Sequence, residues 1–274
     1  MISKRKIIIF LTLVTLFFSR IQAQDTLQIP RLRLGMEAGI STFYVKTNKP
    51  EMVRESQSYY TDYDYDYHCG FIPEGQNLLL YYGGLKIECS LSKRFAITAG
   101  LRFSYNKMLY QSDSDYFLWK ISEDELRTNY LKIKNISQKN YYVGVPLSVR
   151  FFPSENDYFV RQYFVAGTIF DFSVSTMQDV SFSKESMRKY KSQILEQLGY
   201  PAIFHGQFFA GVGLKIGKMK YPVGNIEIHF PVIMFGGNGN SLINMSGGAI
   251  GFEVQTTLQI PVFKKNQLIY TVSN

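Results

Sequence analysis

Past its first two dozen residues the sequence has no apolar run near the ~20 residues that a membrane helix needs. A mature chain of this kind can cross a membrane only as a closed barrel, the other architecture that satisfies every backbone group in lipid. Only two cysteines, Cys69 and Cys89, occur in 274 residues, too few for a disulfide scaffold. Alanine is scarce, which disfavours a helical protein. No basic run interleaved with aromatics is present, and this speaks against nucleic acid as a partner.

What the chain does have is aromatic rings and alternation. Tyr (20) and Phe (22) are abundant, and such residues favour pleated surfaces. From Tyr141 to Phe152, apolar Tyr141, Val143, Val145, Leu147, Val149 and Phe151 alternate with Tyr142, Gly144, Pro146, Ser148 and Arg150. A period of two means a strand with one greasy and one polar face.

The N-terminus reads differently. Lys4, Arg5 and Lys6 precede an apolar run from Ile7 to Phe18, and Ile21, Gln22 and Ala23 form a small-residue exit before Gln24. This is the pattern of a cleaved export signal over residues 1–23. Cleavage removes four basic residues and no acids, leaving 26 basic against 22 acidic, so the formal charge falls from +8 to +4. The basic balance is therefore largely a property of the signal.

Seven other stretches repeat the alternation: about Leu32–Tyr44, Leu78–Leu91, Phe95–Tyr105, Tyr158–Phe172, Phe204–Ile216, Val223–Phe235 and Ala249–Val262. With Tyr141–Phe152 they predict an all-β, eight-stranded antiparallel up-and-down transmembrane barrel over residues 32–263. A linker at 24–31 and a tail at 264–274 flank it. The connections alternate long and short, as outer-membrane barrels do with external loops and periplasmic turns. The long ones are 45–77, the segment up to Asn140, 173–203 and 236–248. Within 173–203, Ser183 to Leu198 reads as a short helix, with Ser183 as N-cap and Met187, Tyr190, Ile194 and Leu198 on one face.

Eleven charged residues fall on the non-greasy faces of these strands: Arg33, Glu37, Lys86, Glu88, Arg102, Arg150, Arg161, Asp171, Lys215, Glu227 and Glu253. A basic residue facing lipid at the midplane costs ~2–4 kcal/mol, so this sorting is what a membrane barrel requires. Gly35, Gly39, Gly84, Gly100, Gly144, Gly167, Gly211, Gly213 and Gly251 share the charged face, which suits a crowded interior better than a solvated surface. Eight strands leave room for side chains and little else, so no wide pore is expected. On the greasy faces, Tyr44, Tyr105, Tyr141, Phe172 and Phe204 are placed at the external rim and Phe95 and Phe151 at the periplasmic one.

The chain resembles the outer-membrane β-barrel proteins of Bacteroidota, the porin-like group that includes PorT-like proteins. The resemblance rests on Ala23-Gln24 at the signal exit, Val145-Pro146-Leu147, Tyr163 to Gly167, and Gly211-Val212-Gly213-Leu214. It implies an eight-stranded barrel usually without enzymatic activity and, for PorT-like members, a role in assembling or maturing a protein-secretion system.

Three stretches carry residue types that could support chemistry. Tyr59 to Cys69 places Asp62, Asp64 and Asp66 at alternate positions, but a calcium loop starting at Asp62 needs Gly at Tyr67 and Glu at Pro73, so it reads as a strand extension and not a metal site. Cys69 and Cys89 fall tens of ångströms apart, far beyond the ~6 Å of a disulfide, so both are expected as free thiols. His205, with Ser183, Ser186 and Asp171 as neighbours, would be the centre of a lipid-modifying enzyme, yet no nucleophile motif accompanies it, and His229 is placed in the polar interior. The expectation is a non-enzymatic, monomeric outer-membrane protein with no catalytic residue, cofactor or metal. Its partners would be outer-membrane lipid and surface or secretion-system proteins met through loops 45–77 and 173–203. A PorT-like secretion factor is the first alternative and a lipid-modifying enzyme the second.

Overall fold

The computed structural model describes residues 32–47, 50, 52–54, 75–112, 115–124, 127–200, 202–218, 220–236, 243–244 and 248–262. The expected signal, linker and tail and the Tyr59–Cys69 stretch lie outside the described residues. Eleven strands occur among them: β1 (Leu32–Thr47), β2 (Val53–Arg54), β3 (Gly75–Ser90), β4 (Phe95–Gln111), β5 (Phe117–Asp124), β6 (Arg127–Phe151), β7 (Val160–Phe182), β8 (Phe204–Ile216), β9 (Val223–Gly236), β10 (Ile243–Asn244) and β11 (Ala249–Val262).

Eight of them form a closed antiparallel ring in the order β1-β3-β4-β6-β7-β8-β9-β11. The pairings that begin at Arg33 run through Glu88, Thr98, Ser148, Gly167, Phe209, Val232 and Gly251 and return to β1 at Phe43, a stagger of ten residues. With eight strands, that stagger tilts them by ~40° from the barrel axis.

The sorting of side chains follows the alternation. All eleven charged residues expected inside are buried, while Leu34, Met36, Leu85, Ile87, Phe103, Leu147, Val149, Val212, Ile228, Leu258 and Ile260 are exposed on the outer wall. Phe95 packs against Phe151 near one end, and Tyr105 against Tyr141 near the other. Ten residues of β4 separate the two aromatic pairs, which at ~3.3 Å per residue and ~40° of tilt spans ~25 Å along the axis. That is the height of the apolar band of a transmembrane barrel.

Inner-face glycines have a specific use. The ring of Tyr82 lies over Gly39 and that of Tyr163 over Gly213, so close that a Cβ at either glycine would collide with it. Bulky interior side chains thus lie flat against the wall.

Three expectations need correction. The segment up to Asn140 is not a loop: β4 continues to Gln111, β5 follows, and β6 runs for 25 residues from Arg127. Likewise β7 continues to Phe182, so Ser183 belongs to the sheet's end, its N–H bonded to the Lys132 carbonyl, and does not cap a helix. A 3-10 turn over Glu185–Tyr190 leads into helix α1 (Lys191–Gln197), neither with a side-chain cap. Finally, β9 changes phase at Phe230-Pro231, where two consecutive residues face outward. Val232 and Met234 are therefore inside and Pro231 outside. Proline has no N–H for the ladder and settles at such a bulge.

Candidate functional site

The interior is built in three tiers. Nearest the ends where β1 begins and β11 finishes, and within the apolar band, lies an ionic tier. Glu88 accepts hydrogen bonds from Arg33 Nη1 (3.1 Å) and Lys215 Nζ (2.6 Å), and its other oxygen from Arg150. Arg150 also donates to Glu227, which takes a further bond from the Tyr163 hydroxyl at 2.7 Å. His229 bridges two carboxylates, Nε2 lying 2.9 Å from Glu227 and Nδ1 2.9 Å from Glu253. Each ring nitrogen of His229 thus faces a carboxylate oxygen.

Glu253 continues the chain. It accepts from Ser41 Oγ at 2.6 Å and lies 3.8 Å from Arg102, whose other amino group lies 3.3 Å from Asp171. Gln207 donates to Asp171 at 2.8 Å, and His205 lies 3.2 Å from it. A separate pair joins Lys86 to Glu37 at 3.1 Å. The connected chain touches every strand of the ring. Arg33, Glu88, Arg150, Asp171, His229 and Glu253 have no exposed surface and are packed among their neighbours. At the terminal end, Arg161 lies over the Phe152 ring and donates to the carbonyls of Lys93 (2.9 Å) and Ser154 (2.7 Å), tying two turns together.

Above the ions sits an amide tier. Asn140 donates to Asn106 at 2.9 Å and accepts from Gln138 at 3.0 Å and Thr176 at 3.2 Å.

The outermost tier is apolar. β6 continues fourteen residues beyond Tyr141, carrying β5 and β2 beside it, and β7 rises with it. On the inner face of this extension Val53, Tyr110, Phe117, Trp119, Leu131, Ile133, Ile136 and Val180 form one core with Ile194 and Leu198 of the α1 segment. The helix is fastened by Trp119 Nε1 donating to Gln197 (2.8 Å), Gln193 to the Ile121 carbonyl (3.1 Å), Gln178 to the Gly199 carbonyl (3.0 Å), and Lys191 to Asp179. Its apolar stripe covers the protein's own extended wall. The Lys191 ammonium holds the Asp179 carboxyl below its ordinary range.

The residues weighed for enzymatic chemistry are only partly gathered. His205 and Asp171 are cross-strand partners, but Ser183 lies at the tip of the extension, twelve residues beyond Asp171 and on the order of 40 Å along the strand. Ser186 is on the 3-10 turn at the same tip. His229 is in the ionic tier. Cys89 is half-buried near the end of β3, and Cys69, its expected non-partner, lies outside the described residues.

No protein-family model and no curated protein sequence matches the chain. Among solved structures it is similar to the N-terminal β-barrel domain of Pseudomonas aeruginosa OprF, at 10% identity over 85% of this chain and 100% of that one, with a TM-score of 0.31. It is also similar to Ail of Yersinia pestis (11% identity, 84% and 98% covered, TM-score 0.32) and to Neisserial surface protein A (8%, 84% and 97%, TM-score 0.35). The chain's own strand pairing makes it a closed eight-stranded antiparallel barrel of transmembrane dimensions.

Proposed function

We propose that this chain is a monomeric, non-enzymatic outer-membrane barrel, exported through residues 1–23, whose lumen is a structural plug and whose work is binding at the cell surface through the extension beyond the rim. The observation that supports this is an inversion of polarity along single continuous strands. In β6, Val143, Val145, Leu147 and Val149 point outward and Ser148 and Arg150 inward. Past Tyr141, Lys139 and Lys134 point outward and Ile136, Ile133 and Leu131 inward. β1 does the same, with Met36 and Ile40 out and Glu37 in below Tyr44, but Val45 in and Lys46 out at and above it. Such a switch is what a wall needs where its outer surface passes from lipid to water.

The binding surfaces on this reading are the segments 45–77 and 173–203. In the second, Tyr200 and Ile203 are more than 70% exposed while the helix itself is turned inward. The resemblance noted in the sequence keeps a PorT-like secretion factor as the alternative. Deleting the gene and comparing secreted, surface and periplasmic proteomes separates the two. Loss of specific surface partners with secretion intact supports the binding role, and retention of many exported proteins in the periplasm moves the protein to the secretion role. A single-channel recording with steady porin-sized conductance would defeat the plugged lumen.

A further inference from the structure

Three strands of the ring repeat one step at the long-loop rim. Tyr44 faces outward on β1, Tyr105 on β4 and Tyr141 on β6, and two residues further out along each strand an outward-facing, exposed lysine follows: Lys46, Lys107 and Lys139. The ten-residue stagger of the ring brings the three tyrosines to nearly one height, because each step from β1 through β3 and β4 to β6 climbs by about one residue. The lysines therefore form an arc ~5 Å above an aromatic girdle.

Lys107 and Lys139 are direct cross-strand partners, as Tyr105 and Tyr141 are below them. Like charges so placed, with Cβ atoms ~5 Å apart, repel. Among the described residues no carboxylate pairs with Lys46, Lys107 or Lys139, and Asp179 on neighbouring β7 is already held by Lys191. On the next two strands the rim is apolar: Val174 on β7 and Ile203 before β8 are exposed.

We propose that these lysines form a binding surface for the phosphate-bearing headgroups of the lipid leaflet at the long-loop end. Lys107 and Lys139 clamp one phosphate between their ammonium groups, and Lys46, two strands away from Lys107, makes a further contact. Continuity with the lipid-facing wall argues for a lipid as the source of the phosphate, since an acyl chain descending past Tyr105 and Tyr141 meets Phe103 and Val143 on the apolar surface. This inference rests on the membrane-barrel reading.

The test uses the whole protein refolded into phosphatidylcholine vesicles containing bisphosphorylated lipid A, with bound lipid counted by native mass spectrometry after transfer to detergent. Lipid A adducts are expected on the wild type, reduced about tenfold or more in a Lys46→Gln/Lys107→Gln/Lys139→Gln variant, kept in the corresponding arginine variant, and weakened by salt. Equal binding by the glutamine variant, or equal capture of dephosphorylated lipid A, overturns the inference. Protease resistance and heat-modifiable migration are read on the same samples: a protein that inserts but shows no phosphate-dependent adduct defeats the clamp alone, and one that never inserts defeats the barrel reading beneath it.

Discussion

The same strands build two interiors of opposite character. Below the tyrosine rim β6 encloses Arg150 and Ser148, and β4 encloses Arg102 and Ser104; above it β6 encloses Ile133 and Ile136, and β4 encloses Met108 and Tyr110. The lower interior holds the ions, set among apolar side chains such as Phe152, Val165, Ile169 and Phe209, because its outer wall must be apolar for lipid, which leaves the polar residues of a two-faced strand nowhere else to go. The upper interior is held by apolar burial because its outer wall meets water. Backbone geometry is continuous across the boundary, so what changes is the solvent outside. A strand's buried face is defined by what its other face must touch.

Four substitutions bear on this contrast. Arg150→Leu should have the largest effect, because it leaves Glu88 and Glu227 each short of a buried cationic partner. Breaking a buried pair in this way costs ~3–5 kcal/mol, to be read as a lowered urea midpoint of the barrel in detergent or vesicles. Trp119→Ala removes the largest side chain of the upper core, a change worth ~3–5 kcal/mol locally. Since that core stands apart from the ionic tier, hydrogen exchange should rise across residues 185–198 while the barrel's heat-modifiable migration stays unchanged. A parallel loss in both regions would show that the two interiors are one cooperative unit.

A matched pair measures the solvent boundary itself. Leu147→Arg places a cation on the lipid side of β6 and should cost ~2–4 kcal/mol of folding into vesicles. Ser137→Arg places the same cation outward on the same strand above the rim, where the cost should stay within ~0.5 kcal/mol. Equal penalties would mean that the boundary is misplaced.

The smallest effect is one of pH. Asp179 has its carboxyl lowered in the folded state by Lys191, so the stabilisation is present at neutral pH and is lost as pH falls through that lowered value. As a surface pair it is worth less than ~1 kcal/mol. Exchange at the α1 segment should rise modestly between pH 7 and pH 3, and Lys191→Gln should flatten that pH dependence.

Much of the lower barrel was legible in the sequence, since its alternation carries charge on one face and aliphatic side chains on the other. The eleven interior charges and the rim aromatics occupy the faces that the period of two assigns to them. The upper extension was missed although Tyr130 to Lys134 and Phe117 to Ile121 also alternate. There the polar face is outside, the reverse of the phase expected for a lipid-facing strand. The register also breaks at Lys134, where β6 pairs Ile133 with Phe182 and Asn135 with Ser181. The phase change at Phe230-Pro231 has a similar cause, because one extra residue moves Val232 to the inner face, and only the proline marks the place. The pairing of His229 with Glu253 on β11 follows from register, which alternation within single strands does not carry, whereas Glu227 is two residues away on the same face of β9.

The bond from Ser41 to Glu253 links residues 212 positions apart and joins the first strand of the ring to the last. Glu253 is also a partner of His229 and Arg102, so the ion chain has gaps for as long as the sheet is an open ribbon. Part of the charge neutralisation therefore waits for closure, since Arg33–Glu88, Lys86–Glu37 and His229–Glu253 join neighbouring strands while Lys215–Glu88 and Arg102–Glu253 reach across the ring. A half-formed ribbon in the bilayer would hold Glu253 without Ser41 and Arg102, and such a species should be too short-lived to accumulate.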